Sequence, residues 1–150
     1  MEQQNKYFTP ELEDLRVGYE CEANLLVVGS LQDNWSPVIM KRVDEAVRHY
    51  HSKGVYRVAY LTKEQIEGEG WKHSHTFEGG SVGRYSMNFR KEFSDGYFQL
   101  EMNQNRFITI NMWNCIDKRN PISQTHYRGY LDSINELRQI QRFLGIKNEE

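Results

Sequence analysis

The chain has 150 residues, of which 38% are hydrophobic and 27% charged, and its formal net charge is −2. These values are typical of one globular domain and exclude a disordered chain. Because basic residues form no long run, binding to nucleic acid or membranes by charge alone is not expected. The polar start of the chain lacks a signal-peptide core, and no apolar run approaches the roughly 20 residues of a membrane span. We therefore expect a cytoplasmic protein without a membrane partner.

The first half of the chain predicts short helices alternating with strands. Thr9-Pro10-Glu11 begins a helix of one or two turns, and apolar alternation over 16–25 predicts a half-buried strand. Residues 29–37 are rich in turn formers and predict a loop. The elements predicted next are a strand at 38–43, a helix at 44–53 with Ala46, Val47 and Tyr50 inward, a strand at 55–61, and a helical turn at 63–67 opened by a Thr62/Gln65 capping box.

Residues 85–115 predict three consecutive antiparallel strands. Apolar residues occupy odd positions in 85–93 and even positions in 98–102, as expected for two strands with one buried face. Asp95-Gly96 predicts a two-residue type I′ loop, which requires positive φ at both residues. That loop pairs Phe93 with Phe98, Phe89 with Met102, and Arg90 with Glu101. A three-residue loop at 103–105, with an asparagine in the left-handed region, then pairs Leu100 with Ile108 and Phe98 with Ile110.

The end of the chain predicts a last strand at 126–131, after a polar loop, and then a helix. Ser133 and Glu136 form a second capping box, and Gly145 ends the helix. The apolar stripe of this helix consists of Ile134, Leu137, Ile140 and Leu144, with Phe143 beside them. The predicted fold is a single α+β domain over 1–150. It has a mostly antiparallel sheet of about five or six strands, the C-terminal helix packed on one face, and short N-terminal and central helices.

Three segments carry a resemblance to a known group of proteins. They are YFTPELEDLRVGYECE at 7–22, AYLTKEQIEGEGWK at 59–72 and SINELRQIQRFLGI at 133–146. These segments resemble small uncharacterised proteins encoded by bacteriophages and mobile elements of gut-type bacteria. The resemblance brings no activity and no active-site residues. It implies a phage or prophage accessory role in the cytoplasm of a bacterial host cell.

Two histidine pairs, His49-Tyr50-His51 and His73-Ser74-His75, raise the question of a metal site, with His126 and the two cysteines as further ligands. Zinc requires three or four converging groups. Residues two apart on a helix point to nearly opposite sides, so the first pair would not chelate together. The second pair would converge only if its segment is extended. We expect surface or hydrogen-bonded histidines, no metal and no cofactor.

Other patterns that could carry catalysis have simpler structural explanations. Carboxylates near the first strand could hold Mg²⁺ with a lysine beside them, but acidic residues on an edge strand more often form a solvated face. These residues are Glu13, Asp14, Glu20, Glu22 and Lys41. The glycine-rich segment 79–83 lies between a loop and a strand, whereas phosphate loops lead into a helix. Cys21 and Cys115 are expected to be buried, inert thiols in a reducing compartment. We predict no catalytic residue.

The side of the three-strand meander that faces away from the last helix is the strongest candidate for function. Besides Glu101, it would display the candidate binding residues Arg84, Asn88, Arg90, Tyr97, Phe107, Asn111 and Trp113. Exposed aromatic rings beside arginines are enriched at protein interfaces and can also stack on nucleobases. We therefore predict a non-catalytic protein that binds a host or phage macromolecule, chiefly a protein, through this sheet face.

The alternative is a small nucleotide-binding or sequestering protein, or a phosphodiester-processing enzyme. Its site would combine Arg84, Arg90 and the histidines of 73–75. A binding protein should present Trp113 and Phe107 on a flat surface. An enzyme should have a deep pocket with at least two titratable groups.

Overall fold

The computed structural model describes residues 6–24, 34–79 and 84–148, and it has an α+β fold with antiparallel sheets. The chain divides into two compact units, Met1–Tyr60 and Leu61–Glu150. Each unit has its own sheet and its own hydrophobic core. The single domain predicted over 1–150 stays a prediction. Within the described ranges, no helix is both long enough and apolar enough to span a membrane.

The N-terminal unit contains a four-stranded sheet in the order β1-β4-β2-β3. Its elements are β1 (Tyr7–Phe8), a 3₁₀ turn (Leu12–Asp14), β2 (Glu20–Ala23), β3 (Ser36–Ile39), α1 (Glu45–Ser52) and β4 (Tyr56–Ala59). The core of this unit consists of Leu15, Tyr19, Cys21, Ala23, Met40, Val47, Tyr56 and Val58. Each predicted helix and strand has a described counterpart, but the bounds differ. The first helix is a single 3₁₀ turn whose N-cap is Glu11 rather than Thr9, and the strand predicted at 38–43 lies at Ser36–Ile39.

Further details of the N-terminal unit differ from the sequence prediction. The predicted strand at 16–25 begins only at Glu20, because Gly18 has a φ of 86° in a turn that leaves Val17 70% exposed. In α1, Val47 is buried but Ala46 and Tyr50 are exposed, so the predicted inward face was wrong at two of three positions. Residues 29–33 of the loop predicted at 29–37 lie outside the described residues, and Ser36 and Pro37, which were also predicted as loop, belong to β3.

The C-terminal unit is an antiparallel meander of five strands in the order β5-β6-β7-β8-β9, with two helices. Its elements are α2 (Lys63–Gly68), β5 (Lys72–Gly79), β6 (Arg84–Phe93), β7 (Gly96–Asn103), β8 (Phe107–Asn114), β9 (Ile122–Tyr130) and α3 (Ile134–Leu144). The consecutive strands predicted over 85–115 are confirmed. The described strands belong to two sheets, where the sequence predicted one.

The apolar face of the meander and α3 form one core, as predicted. Its fully buried members include Phe89, Leu100, Ile108, Ile110 and Leu137. The helix begins where the Glu136 side chain accepts a hydrogen bond from the Ser133 backbone N–H, and it ends at Gly145, whose φ is 70°. Phe143, which the sequence placed beside the apolar stripe, is 85% exposed.

The first hairpin has a different loop from the one predicted. Phe93 pairs with Gly96, so the two loop residues are Ser94 and Asp95, and neither has a positive φ. Gly96 is instead required by a close approach, because a Cβ there would lie 1.8 Å from the backbone oxygen of Trp113. Phe89 therefore pairs with Leu100, not with Met102. The error is two residues, so each side chain still lies on its predicted face.

The second hairpin has the predicted loop length but a shifted position. Met102 pairs with Ile108, and Leu100 pairs with Ile110 rather than with Ile108. The left-handed residue is Arg106, with a φ of 61°, where the sequence predicted an asparagine. Asn103 stabilises the turn through its side chain. Its Oδ1 accepts hydrogen bonds from the backbone N–H groups of Asn105, at 2.9 Å, and Phe107, at 3.0 Å.

Candidate functional site

The five-stranded sheet has a second side, turned away from α3, which we call the reverse face. Cross-strand register defines it in rows. One row contains His75, Asn88, Glu101, Thr109 and Arg128 in neighbouring strands, and the rows beside it place Arg90, Tyr97, Gln99, Phe107, Asn111 and Trp113 on the same side. Arg84 begins β6, and its side chain lies outside the described part of the structure.

Three of the predicted binding residues form a stack on the reverse face. The Arg90 guanidinium lies 4.2 Å from the centroid of the Tyr97 ring. Tyr97 pairs with Trp113 across β7 and β8, with ring centroids 6.1 Å apart and ring planes 19° apart. Trp113 is half-buried, so it is less exposed than the prediction required. It does not lie beneath α3.

A chain of hydrogen bonds holds this stack in one orientation. Trp113 donates from its indole Nε1 to the Gln99 Oε1 at 2.9 Å, and Gln99 Nε2 donates to the Asn88 Oδ1 at 3.1 Å. Asn88 is only 4% exposed, so its predicted display on the surface was wrong. Its side chain is part of the floor of the face, and the hydrogen bond from Gln99 fixes which of its two amide atoms is the acceptor.

The other two predicted residues, Phe107 and Asn111, lie further along β8. Phe107 makes an edge contact with Tyr130, with ring centroids 5.1 Å apart, and Arg128 lies 6.0 Å from its centroid. Asn111 accepts a hydrogen bond from the Thr125 hydroxyl at 2.8 Å. The structure thus places these two residues on the predicted face but outside the Arg90–Tyr97–Trp113 stack.

Next to the stack, the reverse face contains an open cleft of about 660 Å³. It is lined by His75, Phe77, Tyr85, Ser86, Asn88, Gln99, Glu101, Asn103, Gln104 and Asn105. Sequence reasoning placed Asn88 and Glu101 on this face, but it did not bring His75 and Phe77 beside them because it did not predict strand β5. The described lining includes carboxylate, imidazole and amide groups but no lysine or arginine.

The histidines do not form a metal site within the described ranges, where no group of three or more potential ligands is placed to hold an ion. Segment 72–79 is indeed extended, but an irregularity in the ladder between His73 and His75 sends the two rings to opposite faces. The His73 ring lies edge-on to the Phe89 ring, with ring centroids 5.5 Å apart, whereas His75 lines the cleft. In the other pair, the His51 ring is hydrogen-bonded to the Pro10 carbonyl at 2.8 Å.

Of the carboxylates considered for Mg²⁺ binding, Glu20 and Glu22 lie on β2, which is internal and not at an edge as the sequence suggested. Glu13 and Asp14 lie in the 3₁₀ turn. Glu22 forms an ion pair with Arg57 at 2.7 Å. The Arg57 guanidinium lies 3.7 Å from the Tyr7 ring centroid and 4.2 Å from that of Trp35. Glu22 therefore serves a structural ion pair with aromatic support.

The two cysteines differ in burial. Burial of Cys21, with a smaller contribution from Glu22, raises the pKa of its thiol to about 11. Since the thiolate is the reactive form, Cys21 is a poor nucleophile at neutral pH. Cys115 is half-buried, so the prediction of two buried thiols is correct for Cys21 alone.

A buried polar network in the C-terminal unit was not predicted. Glu69 is 6% exposed and Lys91 is 6% exposed. The Glu69 carboxylate accepts hydrogen bonds from Arg138 Nε at 2.6 Å, Asn148 Nδ2 at 3.0 Å and Gln141 Nε2 at 3.3 Å. Lys91 Nζ donates to the Glu69 backbone oxygen and to the Asn148 side chain, both at 2.7 Å.

Within this network, burial alone would raise the pKa of Glu69, but the hydrogen bonds from Arg138, Asn148 and Gln141 and the Arg138 charge outweigh burial and lower it. Glu69 is therefore ionised at neutral pH and fully engaged by donors. Such a group fixes the packing of helix ends and strand rather than performing chemistry. One signal was visible in the sequence, since Lys91 occupies an odd position on the apolar face of β6.

No family model matches the sequence, and comparisons with curated proteins and with solved structures find no match.

Proposed function

We propose that this protein is a non-catalytic binding protein that uses the reverse face of its five-stranded sheet to hold a protein partner. The observation that carries the proposal is the Arg90–Tyr97–Trp113 stack, which is fixed from below by Gln99 and Asn88. Tyrosine, tryptophan and arginine are the residues most enriched at the energetic centres of protein interfaces. Rings that are already held in place lose little freedom on binding, so they contribute more of their contact energy to affinity.

The charges of the reverse face favour a protein over a nucleic acid. Its described residues mix the cations Lys72, Arg90 and Arg128 with the anions Glu92 and Glu101, so the face has no one-sided basic character. Nucleic-acid binding draws most of its affinity from several lysines or arginines that neutralise phosphates. The described lining of the cleft contains no such residue, which also disfavours the nucleotide-binding alternative.

The resemblance of three segments to phage-encoded proteins extends this proposal to the biological setting. In that setting the protein is a phage or prophage accessory protein in the cytoplasm of a bacterial host. Its partner is then a macromolecule of the host or of the phage.

The test is affinity capture from a bacterial host lysate with matched baits, followed by mass spectrometry. The baits are the wild-type chain, the double variant Arg90→Ala/Trp113→Ala, and the control Phe143→Ala, which changes an exposed ring on α3. We expect one protein to be captured by the wild type and the control and to be lost with the double variant, while circular dichroism shows all three folded. A nucleotide recovered in equal stoichiometry, or a partner held equally by all three baits, would overturn the proposal.

A further inference from the structure

The cleft beside the stack combines one carboxylate with several amide donors. Glu101 lines the cleft and is exposed to solvent. Within the described residues, its carboxylate has neither an ion pair nor a hydrogen bond. The Glu101 position lies directly across from Asn88 on one side and Thr109 on the other. The cleft therefore offers an unneutralised negative charge in the middle of a sheet.

The floor of the cleft presents hydrogen-bond donors in fixed positions. The Asn88 side chain is 4% exposed, and its Oδ1 is occupied by Gln99, so Nδ2 is the atom that a ligand would meet. Asn103 is oriented in the same way, since its Oδ1 accepts two backbone N–H groups. Amide N–H donors suit carbonyl acceptors, whereas the nearby carboxylate repels phosphate.

An aromatic side chain lines the cleft beside these polar groups. Phe77 on β5 is 53% exposed and pairs with Ser86 of the reverse face, whereas the Tyr85 ring belongs to the opposite face with Met87 and Phe89. A cation near an aromatic face gains cation–π attraction, and the aliphatic stem of an arginine or lysine packs on such rings. An exposed ion pair alone contributes little, so this additional contact is needed for measurable affinity. Guanidinium suits the site better than ammonium because it is planar and pairs with a carboxylate through two hydrogen bonds.

We propose that the cleft receives an arginine side chain from an extended segment of the protein partner, with its guanidinium on Glu101. The backbone carbonyls of that segment then accept from the amide donors of Asn88 and Asn103. This inference rests on the proposed function, because it names the feature of the partner that the same face recognises.

The test uses a small probe, N-acetyl-arginine amide, titrated into the isotope-labelled protein and followed by amide NMR shifts. We expect shifts at Ser86, Glu101 and Asn103, and no shifts with the neutral isostere, N-acetyl-citrulline amide. The variant Glu101→Gln should weaken probe binding about tenfold, since it removes a charge-assisted pair. The control Glu67→Gln, an exposed carboxylate on α2, should leave probe binding unchanged.

Several outcomes would overturn the inference. The first is equal shifts with the citrulline probe, and the second is no shifts at millimolar arginine probe. The third is shifts at the same amides when the arginine probe is replaced by a sugar, methyl glucoside, or a nucleotide, adenosine monophosphate. The result is separable from the capture experiment. A partner that depends on Arg90 and Trp113 but is indifferent to Glu101→Gln would leave the proposed function standing and remove the arginine pocket.

Discussion

The buried network around Glu69 gives the sharpest prediction for stability. In the variant Glu69→Gln, the side chain keeps its volume but loses its charge, and its amide nitrogen faces groups that are themselves donors. Removing one partner of a buried ion pair costs about 3–5 kcal/mol. The Arg138 side chain is 35% exposed and can turn to water, so we expect about 2–3 kcal/mol. The control Glu67→Gln lies two residues away and is exposed, so it should change stability by less than about 0.5 kcal/mol.

The assay is urea denaturation followed by circular dichroism, at neutral pH and at several acidic values. Because the folded-state pKa of Glu69 is lowered, its stabilising contribution is fully present at neutral pH and is lost as the pH falls through the lowered value. The difference between wild type and Glu69→Gln should therefore shrink toward acidic pH. A difference no larger than that of the control, or one that grows on acidification, would refute this account of the network.

Three further predictions concern packing and reactivity. Gly96→Ala should destabilise the chain by about 1–3 kcal/mol, because the added Cβ meets a backbone carbonyl. The control Gly68→Ala has open space around it and should cost little. Equal denaturation midpoints for the two variants would contradict the hairpin register. Ile110→Ala should cost about 2–5 kcal/mol, and Phe143→Ala under about 0.5 kcal/mol, by the same assay; similar losses would contradict the assigned core. Cys21 should be alkylated far more slowly in the native than in the urea-unfolded chain at neutral pH, since burial raises its pKa to about 11; equal rates by mass spectrometry would contradict its burial.

The faces of the central strands could be predicted from sequence, although their exact register could not. Side chains alternate with a period of two, so a two-residue error moves every pair but leaves every face unchanged. Asp95-Gly96 predicted a loop because such pairs tolerate positive φ. Here Gly96 is needed for a contact with the next strand, which local sequence does not reveal. Arg90, Tyr97 and Trp113 therefore lie on the predicted side of the sheet despite the error in register.

The features that sequence reasoning missed depend on contacts distant in the chain. Strand β5 is polar and lies at the edge of its sheet, so it lacks the apolar alternation that predicts a strand. Gln141 is buried on α3 because Glu69 and Trp71, about 70 residues earlier, provide its hydrogen-bond partners, Trp71 Nε1 donating to it at 2.6 Å. A polar residue at an inward helical position is a signal of such a network, but its partners require the fold.

The central claim, that the reverse face is the binding surface, is tested most directly by oxidative footprinting of the captured complex. The rates of oxidation of Trp113, Tyr97 and the exposed control Phe143 are measured by mass spectrometry, with and without the partner. We predict that the partner protects Trp113 and Tyr97 and leaves Phe143 unchanged. Unaltered oxidation of Trp113 and Tyr97 in a complex that nevertheless forms would place the interface elsewhere and contradict the claim.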